Sequence, residues 1–298
     1  LISSGIISDA ASLKDFFSHT FWAHQFKDWP KLEGILEKML QLLEAWQLVQ
    51  VSGDVKTDFS KKTLTSGDFV VASHLNQMGL RRLKPTLLGK RVSELYLDPL
   101  TAKHLLDGLN NFTVEKRAFA LLQLIAHTLE MRPQLRVKAK EEEWIQEKLV
   151  QNYAHLLEKD PSNFDAEYGE FMDSIKTALF LEEWINEADE DYLLEKYDIR
   201  PGEIRVKLDI TDWLLYACEE LGKIFGMEHT ALSEISKLRV RVKYGAKEEL
   251  LPLLRVRGIG RIRSRKLVQN GIKDLGDLKK VDITSLGQIL GKAVAEEV

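Results

Sequence analysis

Gly258-Ile259-Gly260 separates an apolar run, Glu248 to Leu254, from a basic segment, Arg261 to Asn270, that stops at Gly271. This arrangement predicts two helices joined by a tight turn, a helix-hairpin-helix, because glycine enters the positive-φ region without steric penalty and lets another backbone approach closely. The first N–H groups of the second helix then face outward, and with the helix dipole they favour an anion such as phosphate. Arg261, Arg263, Arg265 and Lys266 add charge at the same place. Between Lys237 and Lys266 there are eleven Lys or Arg against two Glu, in a chain whose formal net charge is -4. Basicity confined to one stretch of an otherwise acidic chain is the pattern of a nucleic-acid footprint. The same residues also suit an ordinary helical turn with a solvated basic face.

The remainder of the chain reads as mainly α. Its 298 residues suffice for two or three domains, and seven Pro and 18 Gly leave long stretches without helix breakers. From Ser8 to His24 apolar residues recur at helical spacing, with Ser8 or Asp9 as N-cap, and a second helix fits Pro30 to Trp46. Leu48 to Val51 then alternates like a strand, with a second extended piece at Phe69 to Ala72 or at Leu80 to Pro85. Helices followed by a β-hairpin describe a winged helix over residues 1–97. Its wing would be the basic loop Lys56 to Arg91, which equally suits a solvated loop. Asp98-Pro99 marks a boundary, because the residue before Pro is driven out of the helical region and Pro opens the next helix well. A helical bundle is expected over residues 98–244, with helices at about Pro99 to Leu109, Thr113 to Met131, Ala139 to Lys159, Asp165 to Glu187, Asp191 to Tyr197, Pro201 to Phe225 and Glu228 to Tyr244. The helix-hairpin-helix fills residues 245–298. Glu182 to Asp198, rich in acidic residues, reads as a solvent-facing surface.

Several function classes are excluded. The single cysteine, Cys218, rules out internal disulfides and multi-cysteine zinc sites. No apolar run approaches the ~20 residues a membrane span needs, and the opening LISSGIISDA reads as the inside of a domain rather than a signal peptide. Gly89-Lys90, Gly222-Lys223 and Gly291-Lys292 lack the preceding Gly and the following Ser or Thr of a P-loop. Gly258-x-Gly260 has Arg263 where a dinucleotide fingerprint needs its third Gly. The seven His show no ligand spacing. No catalytic residue, metal or cofactor is therefore expected in the chain itself. On the helix Pro201 to Phe225, Val206, Ile210, Leu214, Ala217, Leu221 and Ile224 form the expected core face. Trp213 sits at its border, where it either caps the core or offers its indole to a nucleobase.

Three stretches resemble a known family. LKPTLLGKRVSELYLDPLTA (Leu83 to Ala102) looks like the junction of winged helix and helical domain in archaeal Ski2-like DNA helicases of the Hjm or HelQ type. YDIRPGEI with the following DITDWLLYA resembles that family's ratchet helix, and LRVRVKYGAKEELLPLLRVRGIGRIRSRKL resembles its C-terminal helix-hairpin-helix. The resemblance runs over nearly the whole chain. It implies the C-terminal half of an ATP-dependent, 3′-to-5′ helicase that unwinds forked DNA in replication-coupled repair, acting inside the cell at the nucleoid. ATP and magnesium would belong to two RecA-like motor domains of the same polypeptide. By the same resemblance, Trp213 stacks on single-stranded DNA. Arg205 and Lys207 flank Val206, the position of a second ratchet contact. Arg263-Ser264-Arg265 matches the family's Arg-Ala-Arg element, which grips the exiting strand. A protein-binding or RNA-binding scaffold of the Ski2-like RNA helicases, or of a related translocation protein, is the alternative.

Overall fold

The computed structural model describes residues 1–26, 28–52, 81–116 and 118–298. It is mainly helical, as the composition implies, and divides into two compact units, Leu1–Lys103 and His104–Val298.

In the first unit, α1 (Ala10–Ser18), α2 (Phe21–Phe26) and α3 (Trp29–Ala45) precede β1 (Val49–Ser52), β2 (Arg82–Pro85) and α4 (Leu87–Glu94). Asp9 is the N-cap of α1, accepting from the Ser12 amide at 2.7 Å. The single helix expected from Ser8 to His24 is broken at Thr20, whose hydroxyl receives the Ala23 amide at 3.2 Å and opens α2. β1 and β2 pair antiparallel, with Val49 opposite Pro85 and Val51 opposite Leu83. The second strand is thus the later of the two expected segments; Phe69 to Ala72 and most of the expected wing lie outside the described residues. Ile7, Leu13, Leu40, Val49 and Leu83 form one buried cluster between helix and ladder.

α5 (Pro99–Asn110) crosses the boundary, and the second unit continues through α6 (Ala118–Ala126), α7 (Glu142–Asn152), α8 (Tyr168–Ile185), α9 (Glu190–Tyr197), α10 (Pro201–Phe225) and α11 (His229–Tyr244). α6 is buried along its length from Phe119 to Ala126 and packs on α8 and α10. It is shorter than the expected Thr113 to Met131. At its near end the Lys116 amide closes a turn on the Thr113 carbonyl at 2.9 Å, and at its far end the Thr128 amide reaches the Ile125 carbonyl at 3.1 Å. α7 likewise contracts, flanked by the 3₁₀ turns Ala139–Glu141 and Tyr153–His155. α10 and α11 form an extensive helix pair joined through Gly226, which is left-handed at φ 81° and so suits glycine.

Between α6 and α7 runs an irregular segment held on both sides. Lys207 Nζ on α10 donates to the Pro133 carbonyl at 2.6 Å, and Lys176 Nζ on α8 donates to the Arg136 carbonyl at 2.9 Å. The Leu135 amide donates to Thr177 Oγ1 at 2.9 Å and the Val137 amide to Asp173 at 2.6 Å. These bonds replace the ladder that regular structure would have supplied.

The C-terminal segments are the 3₁₀ turn Glu248–Leu250, α12 (Leu251–Leu254), α13 (Arg261–Gln269), α14 (Leu275–Leu278), α15 (Ile283–Leu290) and α16 (Lys292–Glu297). They share a small core of Leu253, Ile259, Leu267, Ile272, Leu286 and Ala295. A second cluster, Ala246, Leu250 and Leu254 with Tyr244 beside it, continues that core towards α11.

Candidate nucleic-acid interface

The turn between α12 and α13 is built as the glycine spacing predicts. Gly258 is left-handed at φ 81°, whereas Gly260 is extended and serves as N-cap of α13. Ile259 between them is buried and anchors the turn to the small core. Glycine offers no side chain to cap α13, so its first-turn amides carry no side-chain partner. That helix end therefore presents donors and the positive pole of a helix to whatever approaches it.

The charges around this turn divide into two groups. Arg255, Arg257 and Lys266 are exposed, and the described residues give their side chains no hydrogen bond or ion pair. Arg263 is half-buried and folds back so that Nη1 donates to the Gly258 carbonyl. Arg261 instead turns towards the helical layer, with its guanidinium over the Trp184 ring at 5.2 Å and Nη1 near the Gly245 carbonyl at 3.4 Å. Trp184 is itself fixed by its indole N–H on the Val242 carbonyl at 2.7 Å. Arg265 is committed to carboxylates: Nε and Nη2 reach Glu187 at 2.8 and 2.5 Å, and Nη1 reaches Glu249 at 2.6 Å. Burial raises the Glu187 carboxyl, but the Arg265 and Lys247 hydrogen bonds outweigh it and leave the group below the ordinary carboxylate range. The Glu187 hydrogen bond correspondingly raises the Arg265 guanidinium. Ser264, between the two arginines, is fully buried.

On α10 the buried residues are Ile204, Lys207, Thr211, Leu214, Leu215, Ala217, Cys218, Leu221 and Gly222. Leu214, Ala217 and Leu221 of the expected face lie in the core, but at the start of the helix the buried side shifts to Lys207 and Thr211, and Val206 is 57% exposed. The cause is that α10 packs on both α6 and α11 rather than on one neighbour. Lys207 is 7% exposed and points inward to Pro133, so of the two residues flanking Val206 only Arg205 stands on the outer surface. Burial pushes the Lys207 ammonium below the usual lysine value. Arg205, Asp209 and Trp213 follow one another at four-residue spacing along one side of the helix, and Trp213 is half-buried. Beside them Arg239 of α11 clasps Asp212 at 2.8 and 3.2 Å and lies 4.8 Å above the Tyr216 ring. No regular sequence signal marks Arg255 and Arg257 as the outermost cations; only their position in the turn rather than on a packed helix does so. No described helix is long and apolar enough to cross a membrane.

Comparison with known proteins accords with this architecture. Residues 119–245 match the family described as archaeal helicase, domain 4, which sets the class as a helical helicase domain. The ATP-dependent DNA helicase Hel308 of Methanocaldococcus jannaschii is 33% identical over 300 residues, covering 100% of this chain and 21% of that protein. The protein of the same name from Methanococcus vannielii is 33% identical over 318 residues, covering 100% of the chain and 41% of the relative. That of Pyrococcus abyssi is 28% identical over 292 residues, covering 98% and 36%. The chain thus spans less than half the length of these relatives. It belongs to the archaeal Ski2-like helicases, as a C-terminal region of such a protein.

Proposed function

We propose that this region binds the single-stranded arm of forked DNA for an ATP-dependent 3′-to-5′ helicase engaged in replication-coupled repair. ATP and magnesium would act in RecA-like motor domains of the same polypeptide, and the chain alone would be inactive. The observation that carries the reading is the uncapped start of α13, with Gly258 and Gly260 shaping the turn and exposed Arg255, Arg257 and Lys266 around it. Phosphate groups satisfy such amides and cations together. Trp213 would stack on a base, with Arg205 about two helical turns away holding a phosphate. Within the Arg263-Ser264-Arg265 element, Arg263 is nearest to the turn, whereas Arg261 and Arg265 orient the hairpin on the helical layer.

The test is a titration of the chain with single-stranded DNA, forked DNA and single-stranded RNA, followed by fluorescence anisotropy at several salt concentrations. Tight, salt-dependent binding to single-stranded and forked DNA is the expected outcome. Equal preference for RNA would shift the reading to an RNA-handling scaffold, and absence of binding to every nucleic acid would leave a protein-docking module.

A further inference from the structure

His104, His127 and Glu158 converge inside the second unit, and each offers a ligand atom within 4.8 Å of the other two. They come from separate places in the chain: His104 from α5, His127 from just beyond α6, and Glu158 from the loop that follows the Tyr153–His155 turn. Spacings of this kind are invisible to a search for local ligand patterns. His127 Nδ1 lies 2.9 and 3.0 Å from the two carboxylate oxygens, and His104 Nδ1 lies 3.7 Å from Oε2. All three side chains are half-buried.

The surroundings determine what each atom presents. His104 Nε2 is 2.9 Å from the Leu124 carbonyl. A carbonyl only accepts, so Nε2 carries a proton and Nδ1 is the ring atom that faces the carboxylate. Glu158 Oε1 receives the amide of fully buried Gln123 at 2.5 Å, and that same amide reaches Ser174 Oγ at 3.1 Å. The His127 ring is set edge-on to Phe171, with centroids 5.7 Å apart. The carboxylate and the His104 ring are thus held by outer hydrogen-bond partners, as ligands around a protein-bound metal usually are, and the His127 ring is held by packing.

We propose that His104 Nδ1, His127 Nδ1 and the Glu158 carboxylate bind one Zn²⁺ ion, with water completing the coordination. Two imidazoles and a carboxylate are the donor set of zinc rather than of calcium or magnesium. Tetrahedral zinc with bonds of about 2.0–2.2 Å separates its ligand atoms by roughly 3.3–3.5 Å. The short His127 approach would open, and the His104 approach would close, by a few tenths of an ångström. Nδ1 of His127 can coordinate only in the tautomer that carries its proton on Nε2, so binding moves that proton from Nδ1 to Nε2 with no net release from the neutral ring. The ion would clip α5 to the end of α6 and to the loop before α8. None of the residues assigned to DNA takes part.

The experiment uses the untagged, metal-stripped chain. Titrated with Co²⁺, it takes up one equivalent with the intense visible absorption of four-coordinate cobalt, and added Zn²⁺ displaces the colour and raises Tm. X-ray absorption of the zinc-loaded protein shows two imidazoles and oxygen, without sulfur. His104→Gln and Glu158→Gln weaken binding by more than the roughly 10- to 100-fold expected for the outer partner in Gln123→Ala, while His229→Ala binds as the parent does. The proposal is overturned if the parent chain takes up no stoichiometric ion, if the absorption spectrum lacks imidazole, or if folded His104→Gln and Glu158→Gln keep the full affinity. The measurements on the parent chain decide the matter even where a variant does not fold.

Discussion

Arg265 on α13 and Glu187 at the end of α8 meet in a two-point ion pair, Nε to Oε2 at 2.8 Å and Nη2 to Oε1 at 2.5 Å. Glu187 also accepts the Lys247 backbone amide at 3.0 Å, so one carboxylate joins the helical layer both to the start of the C-terminal segment and to its second helix. Removing either member should strand the other in a half-buried position. Glu187→Ala and Arg265→Ala are each expected to cost about 1–3 kcal/mol. A double-mutant cycle by urea denaturation should show a coupling of roughly 1 kcal/mol or more. Additive effects would mean that the pair is an idle surface feature.

The same pair sets a pH dependence. The folded Glu187 carboxyl lies below its ordinary value of 4.5, so its contribution is fully present above that value. It is lost as pH falls through the depressed folded value, when the unfolded chain binds the proton more readily. The protection factors of the amides from Ala246 to Arg261, which are corrected for the slower intrinsic exchange in acid, should therefore fall on acidification below about pH 4.5 in the parent. In Glu187→Gln that fall should be smaller. A parent and variant with the same profile would assign the effect to other carboxylates.

On the proposed reading, the division of charges around the turn separates docking from DNA binding. Arg255→Ala, Arg257→Ala and Lys266→Ala together should lower the slope of log affinity against log salt by about 2 for single-stranded DNA, roughly 0.7 for each phosphate that is no longer neutralised. Arg265→Ala should leave that slope nearly unchanged while lowering stability. Should Arg265→Ala flatten the slope as much as the triple variant, its ion pairs with Glu187 and Glu249 must open when DNA binds.

Trp213→Ala should weaken single-stranded DNA binding by about 1–3 kcal/mol, the worth of one base stacked on an aromatic ring. Trp213→Phe should recover part of that loss. Anisotropy titrations of oligonucleotides measure both, with Tm as the check on folding. An unchanged affinity in a folded Trp213→Ala variant would assign the indole to core capping alone.

The two glycines of the turn should respond differently. Gly258→Ala places a side chain at φ 81° and is expected to cost about 1–2 kcal/mol. Gly260→Ala keeps an extended backbone with no heavy atom near the new methyl, so stability should stay within about 0.5 kcal/mol. Thermal denaturation of the two variants checks the contrast.

Much of this architecture is legible in the sequence because it depends on local rules. Pro201 to Phe225 begins at a proline and ends before a left-handed glycine, and the helix occupies that span. The Gly258-Ile259-Gly260 turn follows from the freedom of one glycine and the apolarity of one isoleucine. Illegible are the features set by distant partners. Arg261 and Arg265 read as outward charges because Trp184, Glu187 and Glu249 meet them only after folding. Lys207 reads as a surface cation because nothing near it in sequence announces the Pro133 carbonyl. Val206 reads as core because periodicity fixes the width of a stripe but not which neighbours the helix will have. The approach of His104, His127 and Glu158 is hidden for the same reason.

The two inward lysines give the segment after α6 a mechanical meaning. Parting a buried ammonium from its carbonyl is costly, because a desolvated charge loses a hydrogen bond. Helix α10 therefore cannot slide along its axis past Pro133 while Lys207 holds on, and α8 is bound to Arg136 by Lys176 in the same way. On the proposed helicase reading, a displacement of the Trp213 helix would be passed to its neighbour through this strap, the pair travelling as one lever rather than as two rods.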